Sequence, residues 1–421
     1  MSLSVDQLHN LVAGDAVAIR GTATLEPAGG PGDKIFPPTH ALDEKNKKPE
    51  AGAKYAFETR RINGHDVKCV LIDSVQSQAN RMEEALQALW LDKKIALPVV
   101  SIDFRSVAPE VGRITSLTAP HRISDALLRD SLLDGQLFRL SEIGKSFTDA
   151  STRNATALFK VCPTGLVFGL WDSTGPKGGL GAKFQRTLVS EIVGINAAIG
   201  RKTASRIDPV TTGKTDQDIY KAASRDEMWT LDPEQALTEG DQPVKVGKKE
   251  KAGKPSAIVL GNIAPSIDEV SGGVTIDEAK HTVVLSLASL RRLEFPTGAK
   301  EARMVLAALG LLAIFAAQGR GHDLRSRCLL VPRIAEIDGK KQSLCLRLES
   351  VGPDGMTKPV ELDLEGAIAL YNDTVEALPD GLKFDKPAGE PLAVLTPSPK
   401  LADLVRKSRE LAAAEADVGD E

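Results

Sequence analysis

Aromatic residues make up only 4% of this 421-residue chain, too few for a surface built mainly from base-stacking platforms. The four cysteines (Cys69, Cys162, Cys328, Cys345) are scattered, with no C-x-x-C pair. Cys69, Cys162 and Cys345 fall in runs that read as strands, so buried free thiols are expected. The six histidines form no H-E-x-x-H or other close ligand spacing, so neither a metal site nor a cofactor is expected. A large excess of positive charge is also missing: the net charge is −4. Any site for a polyanion must therefore come from local clustering. The opening MSLSVDQLHNLV has no basic flank or long apolar core, so no signal peptide is read. The longest apolar run, Met304 to Ala317, falls short of the ~20 residues of a membrane span. It reads as a buried helix, and the chain as cytoplasmic with no membrane partner. No fixed-period repeat occurs, which excludes a solenoid.

What remains is ordinary globular composition, 42% hydrophobic and 26% charged, on a length that allows two or three domains or one elaborated domain. Ala16–Leu25 reads as a first strand. Glu26–Ala53, rich in Pro, Gly and Lys, is an extended excursion of a length that is usually functional or disordered. Val67–Asp73 is a β-branched strand running into a helix at Ser74–Leu91, with Val75, Met82, Leu86 and Leu89 near helical period and Gln76, Gln78, Asn80 and Arg81 among its polar positions. Ala157–Trp171 is apolar and interrupted at Pro163–Gly165, which suggests two short strands. A glycine-rich loop, Asp172–Ala182, follows. Lys183–Ile199 is then expected to be a helix, because Phe184, Leu188, Ile192, Ile195 and Ile199 recur at spacings of four, four, three and four. The polar segment Asp208–Pro255 opens an insertion, 208–281, expected to be mobile. Core signals return at Thr282–Leu290, Lys300–Gln318 and beyond, and the tail from 400 to 421 ends acidic. Strand–helix units interleaved with strand pairs predict an α+β fold of the split β-α-β type, one elaborated domain over 1–421.

Three segments are candidates for chemistry. The first is the loop STGPKGGLGAK. If it joins a strand end to a helix N-terminus, its backbone amides and the helix dipole suit a phosphate. Arg153 to Arg206 holds eight basic residues (Arg153, Lys160, Lys177, Lys183, Arg186, Arg201, Lys202, Arg206) against two acidic ones. A flexible turn with solvated lysines reads equally well. A nucleotide-hydrolysing P-loop does not fit, because Gly181 is followed by Ala182, Lys183 and Phe184, with no hydroxyl beside the lysine. The second candidate is the polar set Gln76, Gln78, Asn80 and Arg81, suited to sugar, base edges and phosphate, or simply to solvent. The third is His121-Arg122, followed by Ser124 and Asp125, which also reads as a helix cap. No Ser/His/Asp or Cys/His set assembles. The rival reading of the glycine loop at 172–183 is a phosphate-binding enzyme.

The blocks LIDSVQSQANRMEEAL, HRISDALLRDS, FGLWDSTGPKGGLGAKFQRTLVSEIVGINA and ASRIDP resemble the signature blocks of the Cas-seven-type backbone subunits of type I CRISPR effectors, most of all subtype I-G (formerly I-U). GDKIFPPTH and LRRLEFP also fit, and the resemblance covers Val17 to Pro332. It implies a palm like the RNA-recognition motif (ferredoxin-like), within the repeat-associated (RAMP) superfamily, with finger and thumb insertions; 26–65 is a candidate for one of them. It also implies a non-catalytic subunit that polymerises along crRNA in a Cascade antiviral complex. Its partners would be crRNA, target DNA through the guide, further copies of itself, a large subunit and a crRNA-processing and capping subunit. The protein would hold the RNA backbone while base pairing reads sequence. On this resemblance Gln76, Gln78, Asn80 and Arg81 face RNA on one flank, and His121 and Arg122 are further RNA-binding candidates. Lys177, Gly178, Gly179, Lys183, Gln185 and Arg186 face it on the other, with Arg201, Lys202 and Arg206 extending the track.

Overall fold

In the computed structural model, residues 2–42, 50–173, 182–210, 212, 217–224, 226–248 and 251–416 are described. A short helix α1 (Val5–Ala13) is followed by β1 (Ala18–Pro27), which alternates cleanly. Ile19, Ala23 and Leu25 are buried, while Arg20 and Thr22 face away, the period-two pattern of a half-covered strand. After the excursion that follows β1, the chain forms a hairpin, β2 (Phe57–Ile62) and β3 (His65–Asp73). Helix α2 (Val75–Leu91) follows at once, and Ser74 caps it by accepting from the Ser77 amide at 3.2 Å.

The central strands come from far apart in the chain. β4 (Leu188–Ile195) pairs antiparallel with both β3 and β5 (Glu278–Ser286), and β5 pairs antiparallel with β1. Helix α3 (Ala299–Gly319) then crosses the sheet. The far edge of β1 is shared end to end by β6 (Leu329–Pro332) and β7 (Arg347–Val351). The spatial order is β2-β3-β4-β5-β1-β6, in a nine-stranded sheet. α3 packs against α1, α2 and the helix Leu364–Glu376. Among the described residues it is long and apolar enough to cross a membrane, yet most of it is buried inside the protein. That enclosure explains why it is apolar nearly all round. A second, five-stranded sheet joins Val100–Asp103 to the C-terminal strand Ala393–Pro397 in parallel. One continuous cluster of buried side chains runs beneath both sheets. Antiparallel sheet and helices together make the α+β class expected.

Three local expectations are overturned, the smallest being Cys345, expected to be a buried thiol in a strand but exposed in the link between two strands. Lys183–Ile199 is not a helix but the strand pieces Lys183–Phe184 and Ala198–Ile199 flanking β4. A spacing of four is common to both periodicities, so Leu188 and Ile192 share a face of a strand as well as of a helix. Val189, Ile192, Val193 and Ile195 are β-branched and sit between two partner strands, which decides it. Conversely, Ala157–Trp171 holds two short helices, Thr156–Val161 and Pro163–Phe168, before a two-residue strand. Pro163 stands in the first turn of the second helix, where its missing N–H costs nothing. From β4 the chain leaves as an arm whose base is the antiparallel pair Lys202–Arg206 and Ile263–Asp268, and it returns into β5. β5 takes up Glu278 to His281 of the span 208–281.

At the β3–α2 junction a buried carboxylate ties these elements together. Asp73, fully buried, accepts from Ser77 Oγ (2.9 Å), Gln78 Nε2 (2.7 Å), Arg81 Nε (3.0 Å) and an Arg325 terminal nitrogen (2.9 Å). With its amide nitrogen so engaged, Gln78 accepts at Oε1 from Ser190 Oγ of β4 at 2.9 Å. Ser190 has then spent its proton, so at 2.9 Å it accepts from His281 Nε2 of β5. Burial pushes the His281 imidazole down to about 3, and the neighbouring His322 adds to it. The folded protein keeps this ring neutral, while the unfolded chain protonates it near pH 6.5. Its stabilisation is therefore complete above that pH and is lost as pH falls from 6.5 toward 3. Urea unfolding at pH 7 and pH 5 should show a smaller loss for His281→Gln than for the wild type, the gap approaching about 1.4 kcal/mol per pH unit. Equal losses in the two proteins would mean that His281 does not stay neutral.

Candidate nucleic-acid interface

On the side of α2 away from Asp73, the chain forms an open cleft of about 1540 Å³. One wall is the exposed start of α2, with Gln76 and Asn80 one turn apart. A second is the loop Pro120–Arg122. The third is the pair of short strands Leu170–Trp171 and Lys183–Phe184 with the residues that follow them, and a fourth is the turn of helix at Ser289–Glu294. Of the residues singled out in the sequence, Gln76, Asn80, His121, Arg122, Lys183, Gln185 and Arg186 line this one cleft. Lys177, Gly178 and Gly179 lie outside the described residues. No helix follows the glycine loop, because Lys183–Phe184 is extended. The helix-dipole argument for a phosphate there no longer applies.

The remaining candidates sit elsewhere. Gln78 is buried and Arg81 is held by Asp73 and by the Leu324 carbonyl (2.5 Å); both face a smaller pocket with His281 and His322. Arg201, Lys202 and Arg206 belong to the arm, where they pair with Glu269 (2.9 Å), Asp268 (3.2 Å) and Asp208 (3.8 Å).

Within the cleft the side chains divide into floor and rim. Arg122, at a positive φ of 55°, is floor. It is buried, donates from Nε to Glu83 at 2.7 Å and from a terminal nitrogen to the Gly169 carbonyl at 3.2 Å, and lies over the Phe168 ring. Burial pushes the Glu83 carboxyl up to about 7, against the pull of Arg122. Gly169 is extended at a positive φ of 88°. A Cβ there would meet Arg186 Cγ at 2.9 Å and the Arg186 backbone nitrogen at 3.2 Å, so only glycine lets the two segments close. Behind the short strands, buried Asp172 pairs with Arg139 at 2.5 Å and its amide donates to the Ala182 carbonyl.

The rim is cationic. Arg153, Lys183, Arg186 and Arg292 are exposed, with Glu294 the acidic side chain among the lining residues. No ion pair engages these four among the described residues. Gln185 is held to Ser289 Oγ at 2.8 Å, and Arg292 reaches the same hydroxyl at 3.0 Å. Trp171 is 61% exposed, with Lys183 Nζ 5.4 Å from its ring centre. Sequence reading missed Trp171 and Arg292, and counted Arg153 in the basic stretch without placing it at the site. Trp171 closes an apolar run, yet Leu170 takes the buried position of that two-residue strand and alternation turns the indole outward. Among the described residues no group of three or more His, Cys, Asp or Glu could hold a metal ion.

Three walls of the cleft come from one stretch of chain, and that stretch has relatives. Residues 19–199 match the model of the family described as CRISPR-associated protein GSU0053. This likeness agrees with the CRISPR association read from the signature blocks, and the matched region contains all of the cleft except Ser289–Glu294. A solved structure, the crystal structure of Csc2 from Thermofilum pendens, is distantly similar: 13% identity over 96% of this chain and 81% of that one, with a TM-score of 0.25. No curated protein matches the chain.

The floor of the cleft makes a test independent of any ligand. Removing Glu83 leaves the buried Arg122 charge uncompensated, so Glu83→Met should cost about 3–5 kcal/mol in denaturant unfolding, and Arg122→Met should cost less, because Glu83 can then take up a proton. Glu83→Met with Arg122→Met should cost much less than the sum of the single changes. Additive single and double effects would show that the pair is not coupled.

Proposed function

We propose that this chain is a non-catalytic, guide-RNA-binding backbone subunit of a cytoplasmic CRISPR surveillance complex of subtype I-G, polymerising along crRNA and supporting recognition of target DNA. The observation that carries this reading is the cleft: segments far apart in the matched region meet the turn at Ser289–Glu294 to surround one groove whose rim holds an exposed indole and four cations with no ion pair among the described residues. Phosphate contacts of this kind position a strand without reading its sequence, which suits a subunit that leaves sequence to base pairing.

The strand order supports an RNA-recognition-motif-like palm. β1, α2, β4, β5, α3 and β6 follow a β-α-β-β-α-β path, and in space β6-β1-β5-β4 is the order that motif takes. The open face of this palm differs from a base-stacking platform, since Arg20 pairs with Glu349 (2.5 Å), Arg60 with Glu191 (2.6 Å) and Arg333 with Glu278 (3.6 Å). The RNA track is therefore assigned to the cleft beside α2 and not to the sheet face. The excursion after β1 and the arm between β4 and β5 are the candidate finger and thumb, placed to meet neighbouring copies and the other subunits. The phosphate-binding enzyme gains no support, since the helix its loop required is a strand.

The test uses rim residues only. Arg153→Glu, Lys183→Glu and Arg186→Glu together should weaken binding of single-stranded RNA to a similar degree for unrelated sequences. The log–log salt slope should flatten by roughly 2, at about 0.7 for each phosphate no longer neutralised. Anisotropy across a salt series reads both, with circular dichroism as folding control. A folded triple variant with an unchanged slope would remove the cleft from the RNA track.

A further inference from the structure

We infer that Trp171 is a base-stacking residue, so that the cleft takes single-stranded nucleic acid with one base unstacked from its neighbours and laid on the indole; this rests on the RNA-binding reading of the cleft. A tryptophan left 61% exposed on a rigid element is costly to hydrate unless something covers it. Trp171 is on such an element: its strand is paired residue for residue with Lys183–Phe184, and the next residue is locked by the buried Asp172–Arg139 pair. Its surroundings choose the occupant. An apolar protein partner would want apolar neighbours, whereas Lys183 stands beside the indole and the exposed lining of the same cleft is mostly polar, Arg153, Arg186 and Arg292 included and Val189 the aliphatic exception. A flat, uncharged ring attached to a phosphodiester meets both demands, with stacking on the indole and charge on the rim. Lys183, 5.4 Å from the ring centre, is placed to hold a phosphate beside a stacked base. Duplex RNA has no free base to offer, so a single strand is preferred.

Of the three tryptophans, Trp90 is buried and Trp229 lies on the arm. In a full-length Trp229→Phe background the exposed fluorescence therefore belongs to Trp171. Titration with a short single-stranded oligoribonucleotide should quench it, and the matching RNA duplex should quench it far less. Trp171→Ala should weaken single-strand binding roughly 5- to 150-fold, the range for one base–aromatic stack, and Trp171→Phe should recover most of that affinity. With an abasic strand of the same length, wild type and Trp171→Ala should bind alike, which a structural role for the indole would not produce. Normal RNA binding with no quenching and undiminished affinity in Trp171→Ala overturns the inference and leaves the cleft reading standing. No binding of RNA by the wild type overturns both. Weakened self-association with RNA affinity unchanged assigns the indole to a protein contact and overturns the inference.

Discussion

Asp73 is the point on which the layers of this protein are hung. Its carboxylate sits at zero exposure where β3 turns into α2 and accepts from four side chains. Three of them lie on the first two turns of α2. The fourth, Arg325, comes from the segment after α3 and also donates to the Ile72 carbonyl. A buried carboxylate is tolerable only when its oxygens are satisfied, so the arrangement is nearly all-or-none: strand end, helix start and the return of the chain must be in place together. The relay through Gln78 and Ser190 to His281 extends the same constraint to β4 and β5, the two central strands most distant in sequence from β3. Hydrogen-bond polarity runs one way along it, which leaves the buried Nδ1 of His281 without a partner.

The same anchor decides which face of α2 is free. Residues 78 and 81, three apart, share the face turned to Asp73; residues 76 and 80, four apart, share the other. Gln78 and Arg81 are consumed in holding the helix down. Gln76 and Asn80, with equally polar side chains, have no such duty and border the cleft. A polar stripe that reads as one candidate surface in the sequence is thus two surfaces, one structural and one open. Across the cleft the Glu83–Arg122 pair does for the floor what Asp73 does for the helix. It fixes the loop Pro120–Arg122 against Gly169 and so sets the width between α2 and the short strands.

Much of this was legible from residue order. The alternation of β1, the strand–helix junction at Asp73, the enclosed helix at Ala299–Gly319 and the α+β class follow from periodicity and capping. The blocks that meet at the cleft stood out as blocks. Illegible were the features set by pairing across long separations. β4 carries a spacing of four that belongs to both periods, and only β3 and β5, over a hundred residues away on one side and eighty on the other, make it a strand. Pro163 marks a helix start as readily as a strand break. That Trp171 faces outward depends on a two-residue strand whose partner begins at Lys183.

Charge shows the same limit most sharply. Counted along the chain, Arg153 to Arg206 is strongly basic, yet four of those cations are spent: Arg201 and Lys202 against Glu269 and Asp268, which lie across the arm's hairpin, Arg206 against Asp208 beside it, and Lys160 against Asp385 at 3.4 Å. All four partners lie outside the counted window, so a local sum overstates the field there. Arg292, outside the window, is brought to the rim by the helical turn after β5. An anion in the cleft meets Arg153, Lys183, Arg186 and Arg292, a set no contiguous segment contains. Because these four are exposed and unpaired among the described residues, little must be broken before they can engage a phosphate, and counterion release is the main gain on binding. A chain of net charge −4 can in this way gather four cations at one groove while the ion pairs of its sheet face compensate one another.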